Sequence, residues 1–99
     1  MLKVGGIWVS PVEVESTLVS HPGVIECAVV GKPDQDNLVK PKAFVVLKEG
    51  FTPSPELAEE LIGYCRKGMA EYKRPRWIEF VEELPKTATG KIQRFKLRA

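Results

Sequence analysis

Near the C-terminal end of this 99-residue sequence, the stretch Pro85-Lys86-Thr87-Ala88-Thr89-Gly90-Lys91-Ile92-Gln93-Arg94 concentrates the side chains best suited to chemistry on an anion. Pro85 has no backbone N–H and fixes its own φ, so a regular strand is expected to stop there. Thr87 and Thr89 favour extended or turn conformations, and Gly90 can take a positive φ at little steric cost. Lys91 follows that glycine directly, which suits a cation displayed at the tip of a short loop. A lysine without an acid, a nucleophile or a metal cluster beside it fits one kind of task. It stabilises negative charge on a phosphate or carboxylate that other groups hold in place. The plainer reading is a solvated turn lysine.

The rest of the sequence adds no second half to such a site. It offers no Ser/His/Asp set, no glycine-rich phosphate cradle and no pair of carboxylates across an evident cleft. The domain is therefore expected to contribute charge to a site without building one. A net charge of +2 is too small to argue for nucleic acid. With 43% hydrophobic and 28% charged residues the chain is neither disordered nor fibrous, and its length makes one domain with a modest core. Cys27 and Cys65 lack metal-ligand spacing and sit among apolar residues, as reduced core thiols of a cytoplasmic protein do. His21, before Pro22-Gly23, reads as a loop residue. No apolar run approaches a membrane span and no signal peptide is expected.

The elements that must carry Lys91 follow from patterning. Residues 1–6 read as a lead-in ending at the Gly5-Gly6 bend, and 7–9 as a short extended piece. Ser10 as N-cap, Pro11 at the first helical position and Glu13 in a capping box start a helix that ends at His21-Pro22-Gly23. Val14 and Leu18 face its core side, while Glu13, Glu15 and Ser16 stay wet. Residues 24–30 form a strand that turns at Gly31-Lys32-Pro33-Asp34, and 35–37 a polar loop. Residues 38–47 form a second strand, with Pro41 expected at an edge or bulge. Ala43-Phe44-Val45-Val46-Leu47 is apolar at both parities, which predicts burial on both faces.

Ser54-Pro55 repeats the cap-then-proline start. Leu57, Leu61 and Cys65 then mark a helical stripe, with Ala58 and Ile62 beside it and charges matched to the dipole. Residues 68–75 break this helix, and 76–81 form a third strand with Ile78 and Phe80 on one face. Glu82 and Glu83 are expected to be solvated, and residues 93–99 to begin a basic helix that is cut short. The order α-β-β-α-β predicts a small α+β domain: a mainly antiparallel three-stranded sheet packed with helices.

Pro-Lys-Thr-x-x-Gly-Lys-Ile-x-Arg, as it stands at residues 85–94, resembles the C-terminal lysine motif of the adenylate-forming superfamily. That superfamily comprises acyl- and aryl-CoA synthetases, peptide-synthetase adenylation domains and firefly-type luciferases. The resemblance extends along the chain. Lys3-Val4-Gly5-Gly6-Ile7-Trp8-Val9-Ser10-Pro11-Val12-Glu13-Val14-Glu15 is similar to the segment that follows the family's interdomain hinge. Val24-Ile25-Glu26-Cys27-Ala28-Val29-Val30-Gly31-Lys32-Pro33-Asp34 is similar to its central strand and turn, and Tyr72-Lys73-Arg74-Pro75 to its Tyr-Lys-x-Pro step. The resemblance implies the small, mobile C-terminal lid domain of such an enzyme, with residues 1–99 beginning just after the hinge. The hinge Asp or Lys would lie upstream of Met1, itself then an internal methionine, and the large N-terminal adenylation domain would be the partner.

What the family does is implied with it. A carboxylic acid attacks the α-phosphorus of ATP, with Mg2+ bound outside this domain, giving an acyl-adenylate. After the small domain rotates, the thiol of coenzyme A displaces AMP. Lys91 matches the lysine that serves the first step. Lys3, Gly5, Gly6 and Trp8 match the loop that serves the second, Lys3 being otherwise a turn lysine and Trp8 a core residue. Lys73, Arg74 and Arg76 could meet coenzyme A phosphates, as could Arg66 and Lys67, or form only a charged face. Lys3 to Pro11 and Leu38 to Leu47 are most similar to benzoate-CoA ligases of bacterial aromatic degradation. Other acyl- or aryl-CoA synthetases, a peptide-synthetase domain serving a carrier-protein thiol, and a free-standing interaction domain remain alternatives. The exposed lysine implies a target for an acetyltransferase and deacetylase. The isolated domain is expected to fold and to be catalytically silent.

Overall fold

A computed structural model of the chain describes residues 2–4, 7–66 and 74–97. Strands β1 (Leu2–Val4) and β2 (Ile7–Val9) pair antiparallel, with Lys3 opposite Trp8. Helix α1 (Pro11–Val19) follows, then β3 (Val24–Pro33), β4 (Val39–Leu47), helix α2 (Pro55–Arg66), β5 (Trp77–Phe80) and a 3-10 turn at Arg94–Leu97. The second sheet has the order β3-β4-β5. Its longer ladder, β3 with β4, is antiparallel, whereas β5 joins β4 in parallel. The three-stranded sheet packed with helices is thus as expected, and the direction of β5 follows from α2. A helix between β4 and β5 carries the chain back along the sheet, so β5 starts from the same end as β4.

Both faces of β4 are buried, as its double parity predicts. Ala43 and Val45 join Val14 and Leu18 of α1 and Leu61 and Cys65 of α2 in one core. Phe44 and Val46 join Ala28, Val30 and Leu84 in a second core on the opposite face. Ile78 and Phe80 of β5 pack together on the first, helix-covered face. Helix α2 starts as its sequence dictates: Ser54 Oγ accepts the N–H of Leu57 at 3.1 Å. Ser10 is extended before α1, but its side chain makes no capping bond.

Several sequence expectations need correction. The ladder runs on through Gly31, Lys32 and Pro33, and the turn lies further along. There Asp34 Oδ1 accepts the N–H groups of Asp36 and Leu38 at 2.9 and 3.0 Å, and Asn37 takes φ 62°. Pro41 sits in the central strand. Its carbonyl accepts the Arg76 N–H at 2.8 Å, so its missing donor faces the β5 side, where the parallel ladder begins only at Lys42. The β3 ladder therefore loses nothing. The helix break expected from Gly68 falls partly on residues 67–73, outside the described residues.

Glu15 is buried, not wet. Its Oε2 accepts the N–H of Val29 at 2.8 Å, capping a backbone donor on the outer edge of β3. His21 does lie between elements, but it too is buried. Its Nδ1 accepts the Gly23 N–H at 3.0 Å, which leaves Nε2–H to donate to Glu60 Oε2 at 2.7 Å. Tyr64 meets the His21 ring edge-on and bonds Ser20 Oγ at 2.8 Å, so the end of α1 is tied to α2. The Phe51 ring packs over Gly23, where a Cβ would lie 2.8 Å from it and force the exposed ring to move.

Two stability predictions follow. Glu15→Ala leaves the Val29 N–H without its acceptor, and denaturant titration should show a loss of about 1–3 kcal/mol, with Glu15→Gln losing less. Burial pushes the Cys65 thiol up to about 11, against the opposing pull of the Arg74 guanidinium. A raised folded-state value means that the unfolded thiol gives up its proton first, so stability falls as pH rises from about 9 to 11. Thermal melts across that window should show a shallower fall for Cys65→Ala than for the parent sequence.

Candidate functional site

The lysine stretch is held from both ends. Beyond β5, the Val81 N–H bonds the Val45 carbonyl at 2.9 Å, keeping the chain against β4 as it leaves the sheet. Leu84 is then buried in the second core, and Ile92 packs on the same cluster from the other arm. Between them Lys86 and Ile92 form an antiparallel bridge, and the Gln93 N–H donates to the Pro85 carbonyl at 2.8 Å. The result is a short hairpin whose base is apolar and buried and whose tip is exposed.

The tip is closed by Thr87. Its carbonyl accepts the Gly90 N–H at 2.9 Å and its own N–H donates to the Lys91 carbonyl at 2.8 Å. Thr87 Oγ1 accepts the Lys91 N–H at 3.1 Å and bonds Thr89 Oγ1 at 2.9 Å. Gly90 takes φ 85°, the left-handed conformation that closes a three-residue hairpin loop and that a side chain would strain. Lys91 is exposed, and among the described residues no carboxylate pairs with its ammonium. Lys86 differs: its Nζ lies 2.7 Å from Glu26 Oε2 on β3. The neighbouring cation is thereby neutralised while Lys91 keeps its charge for something else.

The other sequence-predicted site residues lie on other segments of the chain. Arg74 and Arg76 flank the buried Pro75 just before β5, so the described cations bracket that strand, two at its start and Lys91 beyond its end. Arg76 is exposed, whereas Arg74 is partly buried, with an Nε that has no hydrogen-bond partner among the described residues. Lys3 and Trp8 are cross-strand partners in β1 and β2. Gly5, Gly6 and Lys73, with Lys67, lie outside the described residues. Among the described residues no group of three or more His, Cys, Asp or Glu could hold a metal ion, and no helix is long and apolar enough to cross a membrane.

Sequence reasoning missed two features of the site. The hydroxyl of Thr87 was legible only as a turn former, although its spacing from Lys91 allows the bond it makes. The Glu26–Lys86 pair joins residues far apart in sequence, and no local signal announces it. Chemically, the arrangement can present one ammonium on a braced stalk to an anion bound elsewhere, with further cations available to a second, extended anion.

Comparison with known proteins identifies the family of the chain. The family model of the AMP-binding enzyme C-terminal domain matches residues 13–91. A benzoate–CoA ligase of Thauera aromatica is 61% identical over 99 residues, covering 100% of this chain and 19% of that protein. A 4-hydroxybutyrate–CoA ligase of Metallosphaera sedula is 51% identical over 98 residues, covering 99% of this chain and 17% of its own length. The crystal structure of an anthranilate CoA ligase in complex with anthranoyl-AMP superimposes with a TM-score of 0.93 at 70% identity, covering 98% of this chain and 19% of that one. The chain thus spans about a fifth of the length of such relatives. On the match over residues 13–91 and on these likenesses, the chain belongs to the AMP-binding enzyme C-terminal domain family.

Proposed function

We propose that this chain is the mobile C-terminal domain of an AMP-forming acid–CoA ligase, with benzoate or a close aryl carboxylate as the acid, and that Lys91 is its adenylation lysine. The observation that carries the reading is the exposed Lys91 ammonium, without a carboxylate partner among the described residues, on a hairpin whose tip is closed by the hydrogen bonds of Thr87. In the first half-reaction a carboxylate oxygen attacks the α-phosphorus of ATP and pyrophosphate leaves. Negative charge moves from the carboxylate onto the phosphoryl oxygens, and an ammonium placed between them lowers the barrier without giving up a proton. ATP, its Mg2+ and the acid are held by the large N-terminal domain, the chief partner of this chain.

In the second half-reaction the domain turns. Lys91 withdraws, and the segment holding Lys3, Gly5, Gly6 and Trp8 takes its place along the path of the pantetheine thiol. The sulfur attacks the acyl carbonyl and AMP departs, giving the thioester. Arg76, exposed, and Lys73 and Arg74 beside it suit the coenzyme A phosphates. Arg74 does so with only part of its guanidinium, since its Nε is buried. Benzoate is favoured by the benzoate-ligase relative. A 4-hydroxybutyrate ligase at 51% identity indicates that the acid is chosen mainly outside this domain. The buried Cys27 and Cys65 suit a reducing cytoplasm. An exposed Lys91 is also open to an acetyltransferase, and acetylation would remove the charge that the first step needs.

In the full-length ligase, Lys91→Ala should slow benzoate-dependent pyrophosphate release by roughly 10²–10³, the cost of one preorganised donor. Thioester formation from supplied benzoyl-adenylate should survive. If both reactions survive, Lys91 is a turn lysine and the reading fails. Arg76→Ala should raise the KM for coenzyme A by roughly 5- to 10-fold, equivalent to about 1 kcal/mol, and leave pyrophosphate release unchanged. An unaltered KM removes Arg76 from the thiol-substrate site.

A further inference from the structure

Strand β3 carries an irregularity that bears on the lysine hairpin. Val24 pairs with Leu47, but the next pair is Glu26 with Val46, so β3 uses an extra residue there and Ile25 is bulged out and exposed. A bulge resets the alternation of side chains. Val24 consequently shares the helix-covered core with Cys27 and Val29, while Glu26 falls in phase with Ala28 and Val30 on the opposite face. From Glu26 onward the ladder is regular, so alternation puts the Glu26 carboxylate on the face on which the hairpin packs, where it meets Lys86 at 2.7 Å, while the bulge returns Val24 to the helix-covered face.

Lys86 and Ile92 are directly paired across the hairpin, so their side chains leave it on the same side. Ile92 is turned onto the second core and Lys86 onto Glu26. Successive side chains of an extended segment alternate, so fixing Ile92 towards the sheet sends Lys91 away from it. Leu84 and Ile92 thus hold the base of both arms by apolar burial, and the ion pair adds the one directional contact seen on the Lys86 side chain. We propose that Glu26 is a positioning residue for the adenylation step, acting through Lys86 to aim Lys91. This rests on the reading of Lys91 given above.

The pair is partly solvated, with Lys86 39% and Glu26 27% exposed, and such pairs contribute little to stability. Leu84 and Ile92 hold the hairpin to the core without it. A loss of function on breaking the pair therefore has to come from aim. Misplacing a catalytic group by about 1 Å can cost on the order of 10²-fold in rate, so a partial loosening should cost roughly 10-fold.

The experiment uses the full-length ligase containing this chain, with Glu26→Gln, Lys86→Met, Lys86→Arg, the exchanged pair Glu26→Lys with Lys86→Glu, and Lys91→Ala in parallel. Melting temperatures are measured for each. The expected result is a fall of roughly 10-fold in kcat for pyrophosphate release in Glu26→Gln and Lys86→Met, with little change in KM for acid or ATP. Thioester formation from supplied acyl-adenylate should be retained, Lys86→Arg should be near normal, and the exchanged pair should recover most of the loss. If Lys86→Met is slow but Glu26→Gln is not, Lys86 acts directly and the proposal is overturned. It is overturned equally if both half-reactions fall together, or if the exchanged pair recovers nothing. A Lys91→Ala enzyme that still forms adenylate would instead bring down the reading of Lys91 itself.

Discussion

A strand that is apolar on both faces must be covered twice, and β4 imposes that constraint on the whole domain. Each face left in water would forfeit roughly 25 cal/mol for every Å² of apolar surface. Helices α1 and α2 cover the side of Ala43 and Val45. The side of Phe44 and Val46 is covered by the segment after β5, through Leu84, Ile92 and Leu97. The hairpin that presents Lys91 is thus a piece of core lining whose turn extends past the surface. Its placement follows from hydrophobic demand, which is why a loop so exposed at its tip can be well directed at its base.

Polar groups handle what burial leaves over. The outer edge of β3 has a backbone donor at Val29 with no strand to receive it, and Glu15 on α1 supplies the acceptor. The end of α1 is joined to α2 by Ser20 with Tyr64 and His21 with Glu60. These bonds orient the helices over the first core, just as Glu26 and Lys86 orient the hairpin over the second. Each face of the sheet therefore has an apolar layer that holds its cover down and a few charged or polar pairs that set its direction.

Much of this was legible beforehand where the cause is local. The two-sided burial of β4 could be read from Ala43 to Leu47, the start of α2 from Ser54-Pro55, and the exposed turn at Gly90 from the need for a positive φ. Expectations failed where the cause lies far along the chain. Glu15 looks like any polar residue of an amphipathic helix until an unpaired N–H of β3 is placed beside it. Pro41 looks like an edge residue until β5 is seen to begin one position later. His21 looks like a loop histidine until Glu60 and Tyr64 arrive from α2.

The sequence by itself determined most of the elements, the class of fold and the exposed turn that carries Lys91, because propensity, parity and turn chemistry are written within a few neighbouring residues. Only the tertiary structure decided the parallel entry of β5, the burial of Glu15 and His21, and the pairing that separates the two lysines of the hairpin. Lys86 and Lys91 are alike as side chains on one turn. What distinguishes them is the Glu26 carboxylate on β3, and a partner at that distance in the chain leaves no trace in local pattern.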